Sequence, residues 1–267
     1  SEADFKAVYL SGAGVANSLL GAPDLGMVTQ TEIANIADLV CQAVDIPVIA
    51  DGDTGYGGVH NVARTIRLYE RAGVAAIQLE DQAFPKKCGH FEGKAVVSVE
   101  EMVQRIQAAR DARNNDEGIL IIARTDARAS LGLDAAIDRA KIYAEAGADL
   151  LFVEAPHSED ELAQIGSELS GHRLMANMVE FGKTPLLSAD RLAELGYCLI
   201  IHPGAITRAV VELTRAVLGD LRTTGSTKGW LDRMATFADV NALLGLPEAN
   251  EWEVEISRRA AEVGDSE

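Results

Sequence analysis

The sequence predicts an α/β protein of the (β/α)8 barrel class, and three observations carry that reading. A helix–glycine–strand unit recurs. The helix over 59–72 ends in Arg71-Ala72-Gly73 ahead of the run 76–81, that over 134–146 ends in Glu145-Ala146-Gly147 ahead of 150–155, and that over 188–195 ends in Glu194-Leu195-Gly196 ahead of 198–202. Glycine just past a helix is a common C-cap, and an uninterrupted apolar run after it is a strand buried on both faces. Secondly, about seven such runs can be counted, nearly all ending in a polar residue. Polar groups at the carboxyl ends of many successive parallel strands are a barrel's display, whereas a doubly wound open sheet would gather them near one switch point. Thirdly, 267 residues with 48% hydrophobic content suffice for one large core. Because the chain opens almost directly on a strand, the first strand of the eight and its helix are expected upstream of Ser1.

The elements follow in order. Residues 5–10 form a strand that runs into Ser11-Gly12-Ala13-Gly14, small residues that let a ligand approach the backbone. After the loop Pro23-Asp24-Leu25-Gly26, Thr29 followed three residues later by Glu32 is a capping box that opens a helix over about 30–44. Pro47 introduces a strand that stops at Asp51-Gly52-Asp53 and a glycine-rich turn. Strands over 119–126 and 173–178 complete the set. A helix over 205–222 precedes the linker-like Thr223-Thr224-Gly225-Ser226-Thr227. The tail over 228–267 carries Trp230, Met234, Phe237, Leu243, Leu244 and Trp252, too apolar for a free end. The expected division is therefore a barrel over 1–222 and a helical extension over 223–267 that packs on the barrel or on a neighbouring subunit.

Composition narrows the function. A formal charge of −17 and a pI near 4.7 argue against a nucleic-acid surface. Three cysteines, at 41, 88 and 198, are too few and too scattered for a disulfide framework or a zinc site, so a reducing, cytoplasmic setting is expected. No apolar run approaches the ~18 residues of a membrane span, and Ser1-Glu2-Ala3-Asp4 lacks the features of a signal peptide.

The chemistry lies where the strands end. Asp51 and Asp53, at alternate positions, project to one side, and like charges so close repel unless a cation lies between them. A hard divalent metal is the simplest such cation; a solvated Asp-Gly turn is the alternative. Cys88 is flanked by Lys86, Lys87 and His90, cationic neighbours that stabilise its thiolate, whereas Cys41 and Cys198 lie in apolar patterns and are read as core residues. Arg124 closes an otherwise apolar strand and needs an anion, either a substrate carboxylate or one of Asp126 and Glu154. Glu154 and Asn177 end strands and can hydrogen-bond a ligand or its metal-bound water.

Taken in order, Ser11-Gly12-Ala13, Pro23-Asp24, the stretch Asp51 to Gly57, Gln78 to Gln82, Lys86-Lys87-Cys88-Gly89-His90, Ala123 to Asp126, Val153 to Pro156 and Asn177 to Gly182 resemble the isocitrate lyase and phosphoenolpyruvate mutase superfamily. The cysteine loop is similar to the carbon–carbon lyase branch. The resemblance implies an incomplete barrel, Mg2+ or alternatively Mn2+ as cofactor, and a homotetramer that exchanges a carboxy-terminal helix between subunits. It implies cleavage of a 2-hydroxy di- or tricarboxylate to an α-keto acid and a second carboxylate. Methylisocitrate is the first expectation, followed by dimethylmalate and oxaloacetate. Asp51 would hold the metal, with Asp53, Asp24 and Glu80 holding its waters. Ser11, Gly12, Ala13, Gly89, Arg124, Glu154 and Asn177 would bind substrate, and Cys88, His90 and Arg124 would serve the chemistry, Cys88 as the acid. A metal-binding barrel without activity is the competing reading.

Overall fold

The computed structural model describes residues 3–86, 89, 93–114 and 118–264. Seven strands, β1 (Val8–Leu10), β2 (Val48–Asp51), β3 (Ala76–Glu80), β4 (Leu120–Thr125), β5 (Leu150–Val153), β6 (Leu174–Asn177) and β7 (Tyr197–Ile201), pair in chain order, every pair parallel. They form a nearly closed barrel of the TIM type. Helices alternate with them: α1 (Gly12–Val15), α2 (Gln30–Ala43), α3 (Val59–Ala72), α4 (Val99–Ala112), α5 (Arg128–Leu131), α6 (Leu133–Glu145), α7 (Glu159–Glu168) and α8 (Ala189–Glu194). A π-helical turn over Ala16–Leu20 continues α1.

Strand periodicity sorts the core into two layers. Ile49, Ala76, Ile122, Leu150, Phe152, Met175 and Ile201 fill the barrel, while alternating neighbours such as Ala50, Ile77, Ile121, Ala123 and Leu151 meet Ile33, Ile66, Met102, Ile137 and Leu162 of the helices outside. Local signals fix the helix ends. Thr29 and Glu32 form the capping box at α2, and Gly73, Gly147 and Gly196 take left-handed conformations (φ 87°, 105° and 93°) at the exits of α3, α6 and α8.

The structure departs from expectation at three places. The first strand starts at Val8, leaving Phe5 exposed, and Ser11 does not open a loop but caps α1. Helices α4 and α7 add to those read from the sequence. Cys198 is exposed and not a core residue, because Leu174 pairs with Tyr197 but Met175 with Leu199, and this irregularity leaves Cys198 out of the register.

Residues 1–207 form one compact unit and 208–267 a second. Helix α9 (Ala205–Thr224) spans the division, and within the second unit a 3-10 turn (Lys228–Arg233), α10 (Phe237–Leu243) and α11 (Leu246–Gly264) follow. There the Trp230 indole donates to Asp220 Oδ2 at 2.8 Å and lies under the Arg233 guanidinium. Phe237, Leu243, Leu244, Trp252 and Val254 are exposed.

Candidate active site

Counting on by two from the residues that fill the barrel gives Asp51 after Ile49, Gln78 and Glu80 after Ala76, Arg124 after Ile122, Glu154 after Phe152 and Asn177 after Met175. The alternation that packs the interior therefore aims these groups at the mouth formed by the strands' carboxyl ends.

The β2 end is built by close approach. Gly52 donates its N–H to the Gln78 carbonyl at 2.8 Å, and a Cβ on Gly52 would lie 2.7 Å from the Ile77 side chain and 2.8 Å from that carbonyl oxygen. Only a residue without a side chain fits between the two aspartates. Asp51 Oδ1 accepts from the Asp53 N–H at 3.1 Å and from Gln78 Nε2 at 3.2 Å, and its Oδ2 accepts from the Gly12 N–H at 3.2 Å. Gln78 in turn accepts from the Tyr9 hydroxyl at 2.9 Å, and Tyr69 donates to the Asp51 carbonyl at 2.8 Å. Asp53 is a non-glycine residue with φ 46°, a strained conformation of the kind found at sites.

Lys86 supplies the cation that the paired aspartates call for. Its Nζ stands 2.6 Å from Asp24 Oδ1 and 2.7 Å from Asp53 Oδ1, with little of any of the three side chains exposed. Burial, then the charge of Asp51, pushes the Asp53 carboxyl up to about 7 against the pull of Lys86. For Lys86, burial disfavours the ammonium, but Asp53, Asp51, Glu80 and Asp24 outweigh it and hold the group well above its ordinary value. Glu80 is raised by burial and by Asp126 and Asp53, and its Oε1 is buried without a hydrogen-bond partner among the described residues.

Among the described residues no three carboxylates, imidazoles or thiols are drawn close enough to enclose a metal. The donor set nevertheless suits a hard divalent cation. Mg2+ keeps several of its waters and takes only one or two carboxylates directly. One direct ligand at Asp51 with Asp53, Asp24 and Glu80 around its waters asks for no closed cage, and the orphaned Glu80 oxygen is an acceptor in want of a donor.

On the neighbouring strand, Arg124 donates through Nε to Asp126 Oδ2 at 2.8 Å and through Nη2 to Oδ1 at 3.1 Å. Glu80 and Glu154 each stand 3.4 Å from it, and its guanidinium lies 5.3 Å from the centre of the Phe152 ring. Burial works against the Asp126 carboxylate, yet Arg124 and Lys94 outweigh burial and bring it down to about 2. Lys94 Nζ lies 2.5 Å from Asp126 Oδ1 and also donates to the Gly89 carbonyl. A Cβ on Gly89 would collide with Glu154 and with Arg124, so this backbone lies directly against both. Asn177 Nδ2 is 3.4 Å from either oxygen of Glu154, and its Oδ1 is buried without a partner among the described residues. Beneath them Asp81 accepts from the Thr125 hydroxyl, the Asp126 N–H, Arg139 and the Tyr143 hydroxyl, tying the ends of β3 and β4 to α6.

The structure thus groups Gly12, Asp24, Asp51 and Asp53 around Lys86 and Gln78, and Gly89, Glu154 and Asn177 around Arg124, with Glu80 next to Arg124. Ser11 spends its hydroxyl on capping α1, accepting from the Gly14 N–H at 3.3 Å, and Ala13 lies inside that helix. Cys88 and His90 lie outside the described residues. Sequence reasoning did not single out Tyr9, Gln78, Asp81, Lys94 or the part played by Lys86. Gln78 and Tyr9 were recoverable from strand parity, but the partners of the two lysines were not.

A parallel barrel whose strand ends gather buried carboxylates and a buried arginine has the layout of a barrel enzyme's active site. The family model described as phosphoenolpyruvate phosphomutase matches residues 1–222. The chain is 48% identical to the 2,3-dimethylmalate lyase of Eubacterium barkeri, covering 93% of this chain and 86% of that protein. It is 44% identical to the 2-methylisocitrate lyase of Aeropyrum pernix, covering 97% and 82%. Among solved structures, oxaloacetate acetylhydrolase with 3,3-difluorooxalacetate superposes with a TM-score of 0.91 at 36% identity, covering 96% of this chain and 86% of that one. A phosphonopyruvate hydrolase complex with oxalate and Mg2+ gives 0.81 at 27% identity, covering 95% and 87%. The chain belongs to the phosphoenolpyruvate mutase/isocitrate lyase superfamily, and its homologues place it among the lyases.

Proposed function

We propose that the chain is a Mg2+-dependent carbon–carbon lyase, with Mn2+ as the alternative metal, acting on a 2-hydroxy di- or tricarboxylate of the methylisocitrate or dimethylmalate kind. The observation that carries this reading is the group of carboxylates Asp51, Asp53, Asp24 and Glu80 at the mouth of the barrel, with Arg124 beside Glu80. When bound, the metal would polarise the substrate's 2-hydroxyl and adjacent carboxylate. The 2-hydroxyl passes its proton to a carboxylate or water of the site, the carbon–carbon bond breaks as the new carbonyl forms, and the electron pair passes to the carbon beside the second carboxylate, which takes up one proton, so that no net proton is gained or lost.

This chain's residues serve that sequence as follows. The segment Ser11, Gly12 and Ala13, held beside Asp51 by the Gly12 N–H, binds the keto-acid half. Arg124 binds its carboxylate, sharing its charge with Asp126, while Glu154 and Asn177 line the same wall. Cys88, with His90, delivers the final proton. For assembly we propose a homotetramer with exchanged carboxy-terminal helices. Support comes from α9, none of whose residues is buried, and from the exposed apolar side chains of α10 and α11. Cysteine usage supports a cytoplasmic setting, and no helix among the described residues is long and apolar enough to cross a membrane.

The test is a panel of 2-methylisocitrate, 2,3-dimethylmalate, oxaloacetate and isocitrate, each assayed for release of its keto acid or oxalate with Mg2+, after EDTA, and after Mg2+ is restored. Turnover of one of the first two that EDTA abolishes and Mg2+ restores is expected. Indifference to EDTA removes the metal mechanism. Silence on all four acids favours the inactive barrel.

A further inference from the structure

We propose that Lys94 is a positioning residue that fixes the Gly89 backbone and the Arg124 guanidinium relative to each other. The inference rests on the lyase reading for its catalytic consequence, and on Lys94's own contacts for its geometry. The Lys94 side chain is 1% exposed and that of Asp126 is wholly buried, so both are shielded from bulk solvent. One nitrogen serves two acceptors. Nζ donates to Asp126 Oδ1 and to the Gly89 carbonyl, while Asp126 returns both of its oxygens to Arg124.

Arg124 donates to both Asp126 oxygens but also faces Glu80 and Glu154, so Lys94 adds compensating charge; charge alone does not account for its second acceptor. The added element is the carbonyl of Gly89, a residue whose missing side chain lets its backbone lie against Glu154 and Arg124. An ammonium carries three donors that can be directed separately, so it can bridge a backbone carbonyl and a carboxylate from one point. The position of Arg124, the proposed binder of substrate carboxylate, and that of the neighbouring glycine are therefore set by one group.

The experiment compares Lys94→Met and Lys94→Arg with the wild type by steady-state kinetics with Mg2+, thermal melting, and amide hydrogen exchange of peptides spanning residues 86–98. Lys94→Met should lower kcat by at least roughly tenfold with a smaller change in KM, as expected for misplaced rather than missing binding groups. Exchange over 86–98 should quicken while that of α2 and α3 holds. Lys94→Arg keeps the charge beside Asp126, but its larger, planar fork directs its N–H groups along fixed lines and does not reproduce the ammonium's point between both acceptors. It should melt near the wild-type temperature and still lose at least about threefold in kcat, which carries the test should Lys94→Met fail to fold. A folded variant with unchanged kcat, KM and exchange over 86–98 overturns the proposal, as does a loss of melting temperature alone. Should the wild type cleave none of the four acids, the lyase reading falls. The exchange comparison then still decides whether Lys94 fixes the Gly89 backbone.

Discussion

Lys86 and Asp53 meet at 2.7 Å at the rim of the barrel, an ammonium and a carboxylate that are both shielded from solvent. With Asp24 on its other side, Lys86 keeps a group of like charges together. Removing one member of a buried ion pair leaves the others uncompensated, at a cost of about 3 kcal/mol or more. Lys86→Met should therefore destabilise the metal-free protein by that order in urea titration, and Mg2+ should raise its melting temperature more than it raises that of the wild type. Equal Mg2+ responses in the two proteins would show that the ion and the ammonium do not share these carboxylates.

Asp126 gives the pH dependence its sign. Its carboxyl is held at about 2 in the folded chain, below the ordinary value of 3.8. The unfolded chain thus takes up this proton first as the pH falls, and the stabilisation, on the order of 2 kcal/mol, is present above about pH 4 and lost between there and about pH 2. The stability difference between wild type and Asp126→Asn should be constant from pH 7 to 5 and shrink below about 4. A difference that persists unchanged at pH 3 would mean that the charge is not what Asp126 contributes.

Gly89 tests how tightly the mouth is packed. Gly89→Ala must displace either this backbone or the Arg124 and Glu154 side chains. A shift of about 1 Å in positioned groups can cost on the order of 10²-fold in rate. We expect kcat/KM to fall by at least about tenfold with little change in melting temperature, measured on the best acid of the panel. A variant with wild-type kcat/KM would show that Arg124 need not hold its place for turnover.

Cys88 carries the proposed proton delivery. Cys88→Ser should lower kcat by roughly 10²-fold, the scale of a lost general acid, with KM much less affected. Thiol alkylation should inactivate the enzyme, and saturating product should slow the labelling. Near-normal kcat in the serine variant would reduce this cysteine to an ordinary loop residue.

Much of the barrel was legible because its strands are mainly apolar runs that end in polar residues, and because Gly73, Gly147 and Gly196 mark helix exits. Strand parity made Asp51, Glu80, Arg124, Glu154 and Asn177 legible as a group. Helices α4 and α7 did carry a signal: Ser98 and Ser158 cap them with acceptors for the N–H groups of Glu101 and Glu161, three residues on, the same spacing that revealed α2. Lys86 and Lys94 had none. A lysine's stem is long and unbranched, so its ammonium can reach carboxylates 62 and 32 residues away in the chain, and only the folded barrel says which. Ser11 misled for the opposite reason, since a small polar residue after a strand suits a ligand and a helix cap alike.

The glycine between Asp51 and Asp53 makes their spacing a property of two strands. Gly52 leaves no room for even a methyl group between β2 and the Ile77–Gln78 segment of β3, so the neighbouring strand acts as the template against which the acidic pair is cast. An alanine there would wedge β2 from β3 at the carboxyl end of β2 and spread the two aspartates without altering either one. The acid pair is in that sense inherited together with β3. Transplanting the tripeptide alone into another barrel would carry over its letters and lose the distance between its charges.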